Sequence, residues 1–179
     1  LDVTTGIKSI GGYKDAIATQ SALFNANYDY DNRYMGQVSY RMDESSCFGK
    51  NNRMGHFFTV SGGWNIQNET FFESLRESVN QLKVRVSYGS LGNTPGAYYG
   101  HYPLYSSMMY NDEVAYFPSQ MGNADLSWEK CYTTNIGIDA RFFDRFGVTI
   151  DLYNKNTSDL LYYAPLPNIS GYTGQYKNV

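Results

Sequence analysis

Apolar and polar side chains alternate with period two in six separate stretches of the chain, and each stretch predicts a β-strand. In residues 21–31, Ala22, Phe24, Ala26, Tyr28 and Tyr30 alternate with Asn25, Asn27 and Asp29. In residues 33–43, Tyr34, Val38, Tyr40 and Met42 alternate with Gln37, Ser39, Arg41 and Asp43. Residues 55–66 put Phe58, Val60, Trp64 and Ile66 on one face. Residues 81–89 set Leu82, Val84, Val86 and Tyr88 against Lys83, Arg85 and Ser87. Residues 126–143 set Trp128, Tyr132, Ile136, Ile138, Ala140 and Phe142 against Asn135, Gly137, Asp139 and Arg141. Residues 145–156 set Phe146, Val148, Ile150 and Leu152 against Gly147, Thr149 and Asp151.

The predicted connections alternate in length. Asp31-Asn32-Arg33 and Asp144-Arg145 are tight turns, whereas residues 49–54 form a longer loop and residues 90–125 a very long one. Residues 68–78 break the alternation and predict a short helical turn on the tight-turn side. Most of the runs are longer than the usual soluble strand of about 5–6 residues and approach the roughly 9–11 that a tilted strand needs to cross a bilayer. Charges in mid-strand on the polar face (Arg41, Arg85, Asp139, Arg141, Asp151) fit either a solvated outer surface or a wet lumen. Periodicity therefore leaves two all-β architectures open: a sandwich core, or the wall of an antiparallel transmembrane β-barrel.

Composition narrows the function more than the fold. The 179 residues hold 18 Tyr, 10 Phe and 2 Trp, yet mean hydropathy is −0.48. An aromatic-rich but polar chain is what one apolar and one wet strand face produce, and what aromatic girdles around a polar lumen produce. A net charge of −3 offers no field for phosphate backbones, so no nucleic acid is expected. The two cysteines, Cys47 and Cys131, form no CxxC pair, and His56 and His101 are the only histidines. That supply argues against a metal site, a cofactor and a Ser-His-Asp centre. No stretch approaches the ~20 apolar residues of a membrane helix. The chain starts at Leu1 without an initiator Met or a signal-type apolar region, and is expected to be part of a longer protein. Six strands cannot close a membrane barrel, which needs about eight or more.

Between residues 29 and 93 the chain reads Asp-Tyr-Asp-Asn-Arg-Tyr, then Arg41, Asp43, Ser45-Ser46, Phe48-Gly49 and Asn52-Arg53. Gly55-His56-Phe57-Phe58-Thr59-Val60-Ser61, Gly63-Trp64-Asn65-Ile66, Asn68-Glu69, residues 82–89 and Gly92-Asn93 follow. The second half adds residues 123–126, Trp128-Glu129-Lys130, Thr134-Asn135-Ile136-Gly137-Ile138-Asp139, Phe142-Phe143-Asp144-Arg145 and Asp159-Leu160-Leu161. This ordered set resembles the barrel of SusC/RagA-type TonB-dependent outer-membrane proteins of Bacteroidetes, over residues 20–179. Glu44 and Phe58 stand where that family more often has Gly and Pro.

The resemblance implies an outer-membrane barrel of about 22 strands with a plugged lumen, of which residues 1–179 supply about six strands; the plug and remaining strands lie outside the chain. It implies transport rather than catalysis, drive through TonB, a SusD-like surface lipoprotein as a lid, contact with membrane lipid, and glycan or peptide cargo. Arg41, Lys83, Arg85, Asp139, Arg141 and Asp151 are then candidates to face the lumen, where pairing across strands is the simplest role for them. Tyr98, Tyr99, Tyr102, Tyr105, Tyr110 and Tyr116 are candidates for contact with cargo or lid, since a tyrosine stacks on a sugar face and offers a hydroxyl. The plainer role for those six is a self-packed loop or an outer girdle. A secreted aromatic-rich β-sandwich that binds carbohydrate and a β-sheet hydrolase using His56 or His101 are the rival readings.

Overall fold

A computed structural model describes residues 12 and 14–179. The start of the chain at Leu1 lies outside them. The six predicted runs all become strands: β1 (Thr19–Tyr30), β2 (Tyr34–Ser45), β3 (Met54–Asn65), β4 (Val79–Asn93), β7 (Glu129–Phe142) and β8 (Phe146–Ser158). They form one antiparallel sheet in the order β1-β2-β3-β4-β7-β8. Residues 66–78 hold two short 3-10 turns, Ile66–Asn68 and Thr70–Leu75, on the tight-turn side as expected.

Register is the decisive feature of this sheet. From Tyr28 the ladder runs to Gly36, Gly62, Val86, Ile136 and Leu152. The next row runs from Asp29 to Met35, Gly63, Arg85, Gly137 and Asp151. Even residues pair with even and odd with odd across all six strands, so every even side chain shares one face. A slip by one residue would move a whole strand's apolar set to the charged side. A register shift between Val79 and Gln81 absorbs the one place where the parity breaks.

Tight turns set that register. Asp31 and Asn32 (φ 52° and 51°) and Phe143 and Asp144 (φ 51° and 53°) adopt the left-handed conformations that two central hairpin residues need. The second turn thus centres on Phe143-Asp144, one residue earlier than expected, closed by Arg145 N–H donating to the Phe142 carbonyl at 3.0 Å. Phe143 tolerates positive φ because the neighbouring connection holds it: its N–H donates to the Ser78 carbonyl (3.1 Å), and Asp144 N–H to Asn80 Oδ1 (2.8 Å).

Residues 90–125 are not one loop. They contain the end of β4 and the hairpin of β5 (Leu104–Tyr110) and β6 (Glu113–Met121), turned at Asn111-Asp112. With β9 (Leu161–Pro165) and β10 (Gly174–Asn178) these build a second sheet, ordered β5-β6-β10-β9. It stands at the long-loop end. It leaves the even face of the six-stranded wall uncovered: Val38, Val60, Val86, Ile136, Ile138, Ile150 and Leu152 are all exposed. A sandwich would bury them.

The core of the described residues is small and lies where the loops meet the wall. Phe48, Phe57, Leu126 and Trp128 are buried together, with Leu161 and Tyr176 against them. Trp128 therefore does not join the even stripe of β7. It precedes the strand, packs at a tilt against Phe48 (4.7 Å) and edge to face against Phe57 (5.5 Å), and donates its indole N–H to the Arg53 carbonyl at 3.0 Å. Glycine at Gly92 makes this possible, since a Cβ there would overlap the Phe57 ring.

Candidate functional site

The odd face gathers all six residues expected to share it. Lys83 pairs in register with Asp139, Arg85 with Gly137, Gly137 with Asp151, and Arg141 with Gln81; Arg41 lies on the same face of β2. At its centre, Arg85 Nε donates to Asp139 Oδ2 at 2.7 Å and Nη2 donates to Asp139 Oδ1 and Asp151 Oδ1, each at 3.1 Å. One guanidinium thus ties β4, β7 and β8 together, using the planar fork that suits carboxylates. Thr149 Oγ1 donates to Asp139 Oδ1 at 3.1 Å and completes the set.

Gly137 makes the crossing possible. A Cβ there would lie 2.5 Å from Asp151 Oδ1 and 2.9 Å from the Arg85 guanidinium carbon. The side chain of Arg85 reaches over β7 only because that position is bare. Arg41 pairs within its own strand instead, Nε to Asp43 Oδ1 at 2.6 Å. Lys83 and Arg141 make no ion pair among the described residues. Beside this network the odd face holds a groove of about 450 Å³, lined by Asn27, Asp29, Met35, Gln37, Lys83 and Arg85 among others.

The six tyrosines divide between the loop and the hairpin. Tyr98, Tyr99 and Tyr102 precede β5; Tyr105 and Tyr110 lie on β5 and Tyr116 on β6. Tyr105, Tyr110 and Tyr116 are 64%, 72% and 75% exposed, so they are not packed among themselves. Tyr98 and Tyr99 meet edge to face at 6.5 Å, and Tyr102 stacks on His101 at 4.0 Å. His101 is buried and its Nδ1 donates to the Cys47 carbonyl at 3.0 Å, while His56 Nδ1 lies 2.7 Å from the Tyr40 hydroxyl. Each histidine is therefore held by a local hydrogen-bond partner. Cys47 and Cys131 are both free.

At the tight-turn end Glu69, between the 3-10 turns, accepts two hydrogen bonds on one oxygen: from the Tyr34 hydroxyl (2.7 Å) and the Trp64 indole N–H (3.1 Å). Tyr34 and Trp64 belong to the even face and stack at 6.2 Å. These donors, Tyr34 foremost, with Arg33 at 3.7 Å from the other oxygen, hold the Glu69 carboxyl below its usual range. Glu69 and Gly137 both fall within the quoted motifs, but nothing in the sequence shows their roles, because the side chains they meet come from other segments.

Two faces of opposite character on a single-layer antiparallel sheet, with tight turns at one end and long structured loops at the other, define the wall of an outer-membrane β-barrel. Comparison with known proteins bears this out. Residues 2–179 match the model of the TonB dependent receptor-like β-barrel, and the chain belongs to that family. It is 38% identical over 164 residues to TonB-dependent receptor P39 of Formosa agariphila, covering 90% of this chain and 16% of that protein. It is 32% identical over 176 residues to TonB-dependent receptor SusC of Bacteroides thetaiotaomicron, covering 89% and 17%. Solved structures of the RagAB peptide importer in the "closed-closed" and "open-open" states superpose with TM-scores of 0.83 and 0.80, at 36% identity, covering 91% of this chain and 18% of that one. The chain is thus a segment of a SusC/RagA-like outer-membrane barrel, spanning about one-sixth of its curated relatives. The family is one of transporters rather than enzymes.

Proposed function

We propose that this segment forms wall and outer loops of an importer whose even face meets hydrocarbon and whose odd face lines a water-filled lumen. The observation that carries the reading is the row Tyr28–Gly36–Gly62–Val86–Ile136–Leu152 lying one residue away from Asp29–Met35–Gly63–Arg85–Gly137–Asp151. Hydrocarbon accepts the first row and excludes the second. The tight turns then face the periplasm, and the β5–β6 hairpin with its tyrosines faces outward, toward cargo and a SusD-like lipoprotein lid. A plug held within about 22 strands, and TonB acting on it, belong to the rest of the protein.

Similarity to SusC and the exposed tyrosines support an oligosaccharide as cargo. Similarity to structures described as a peptide importer supports an oligopeptide. The test is uptake of labelled oligosaccharide and oligopeptide by cells carrying the full-length protein, with and without TonB. Import that is lost without TonB supports the reading; import that ignores TonB overturns it. Facing is tested separately with a lipid-borne photoreactive probe. Labelling at Ile138 and Val86 and none at Asp139 and Arg85 is expected, and the reverse pattern sinks the assignment.

A further inference from the structure

Four of the wall's five ladders run to the strand ends on the long-loop side: Thr19 pairs with Ser45, Glu44 with Met54, Asn93 with Glu129 and Lys130 with Ser158. The fifth stops short. Among the described residues β3 and β4 pair only as far as Thr59 with Gly89, although β3 continues to Met54 and β4 to Asn93. Continued in register, Phe58 would meet Ser90 and His56 would meet Gly92. Instead Phe58 N–H donates to the Ser90 hydroxyl at 3.1 Å, and a Cβ on Gly92 would overlap the Phe57 ring. A seam thus parts the outer rim between β3 and β4. Side chains rather than main-chain ladders stitch it. The Phe57 ring meets Trp128 edge to face, the Trp128 indole N–H reaches the Arg53 carbonyl, Asn52 Nδ2 donates to the Asp125 carbonyl at 2.9 Å, and His101 Nδ1 reaches the Cys47 carbonyl. The even face beside the seam carries Glu44, His56 and Lys130, whereas Val60, Val86 and Ile136 lie below it. Open main-chain groups are excluded from hydrocarbon, and a seam beyond the apolar rows meets that condition.

We propose that this seam is a hinge in the outer rim, where two leaves of the wall part and close above the Thr59–Gly89 pair. One leaf is the outer end of β2 and β3, with Phe48 and Phe57; the other is the outer end of β4 and β7, with Leu126 and Trp128 leading into it. The hinge rests on the reading that the long-loop end faces outward, and adds a moving part to it. Elsewhere the wall bends only by breaking main-chain hydrogen bonds between strands. Across the seam an aromatic contact and a few side-chain bonds have only to rearrange, and packed interfaces of this kind switch between discrete arrangements. The loop sheet is tied to the second leaf. Asn178 accepts from Ser127 N–H (2.9 Å) and donates to the Ser127 carbonyl (2.8 Å), and Leu161 N–H donates to Glu129 Oε2 at 3.1 Å. β9 and β10 therefore travel with β7, and the tyrosine-bearing hairpin follows through the pairing of β10 with β6. Contact at the outer surface of the loop sheet is thereby converted into a change in the width of the rim.

The experiment uses the full-length protein. In detergent, nitroxide spin labels on His56→Cys and Lys130→Cys straddle the seam, and labels on Val60→Cys and Thr134→Cys span the same two strands where β3 and β4 are paired. A broad or two-component dipolar distance across the seam and a single narrow one below it are expected. Equal widths overturn the proposal. A disulfide then asks whether the movement serves transport. Phe58→Cys with Ser90→Cys bridges the base of the seam, and Val60→Cys with Tyr88→Cys bridges the paired rows as a control. Oxidation of the seam pair in cells is expected to abolish TonB-dependent uptake of whichever labelled oligosaccharide or oligopeptide is imported, and reductant to restore it, while the control pair imports in both states. A bridged seam that imports as well as the bridged control overturns the hinge. If uptake by the reduced proteins does not depend on TonB, the importer reading fails, while the spin-label widths still judge the hinge.

Discussion

Phe48→Ala removes a fully buried ring from the junction between the loop sheet and the wall. Phe48 packs at a tilt against Trp128 at 4.7 Å, and the cluster it belongs to joins the β2–β3 loop, β3, the β6–β7 connection, β9 and β10. Truncating a buried phenylalanine to alanine costs about 3–5 kcal/mol, consistent with roughly 150–250 Å² of aromatic surface at about 25 cal/mol per Å². The wall does not depend on this cluster, because its ladders continue from strand to strand away from the junction. The loss is therefore local: opening of the loop sheet becomes more frequent by on the order of a hundredfold to a few thousandfold. Hydrogen exchange of the full-length protein in detergent reads this directly. Amides of Leu104–Tyr110 and Glu113–Met121 are expected to exchange faster by that factor, while residues 82–88 and 136–140 keep their protection. Unchanged exchange in the hairpin refutes the junction as its support, and equal loss in the wall refutes the independence of the two sheets.

Further outcomes follow from the wall. Ile138→Arg is expected to destabilise the barrel by about 2–4 kcal/mol, the cost of a midplane arginine against lipid, whereas Ser87→Arg on the odd face costs little; equilibrium unfolding from vesicles separates them. Gly137→Ala is expected to displace the Arg85 guanidinium from Asp151 and lower the heat-modifiability midpoint on gels, and to do so more than Asp151→Asn, since the added Cβ also crowds Arg85. Glu69 contributes stability with a definite sign. Its folded carboxyl titrates below the usual value of 4.5, so the contribution is complete above that value and disappears as pH falls through the lower, folded one. Glu69→Gln is expected to remove this acid-side slope in a pH series of unfolding midpoints, and a slope that survives the substitution refutes the assignment to Glu69.

How far the sequence reached can be seen strand by strand. Period-two alternation is a local property, so β1, β2, β3, β4, β7 and β8 were legible, and with them the shared face of Arg41, Lys83, Arg85, Asp139, Arg141 and Asp151. Turn residues Asp31-Asn32 were legible for the same reason: each tolerates positive φ on its own. The hairpin β5–β6 was not, because Tyr105, Met108, Met109, Tyr110, Val114 and Tyr116 are exposed on both faces and so leave no alternation to read. Trp128 fell on the even count of its run, yet the chain turns before β7 begins, and only the packing of Phe48 and Phe57 drew its ring into the junction. Tertiary structure alone joined Arg85 to Asp139 and Asp151, residues 54 and 66 positions away. It did so through Gly137, whose bare backbone has meaning only once β4 and β8 lie on either side. The sequence by itself thus determined which side chains share a face, since that follows from the pleat of each strand. Which of them touch was decided by strand order and register, because those contacts come from segments that the chain keeps far apart until it folds.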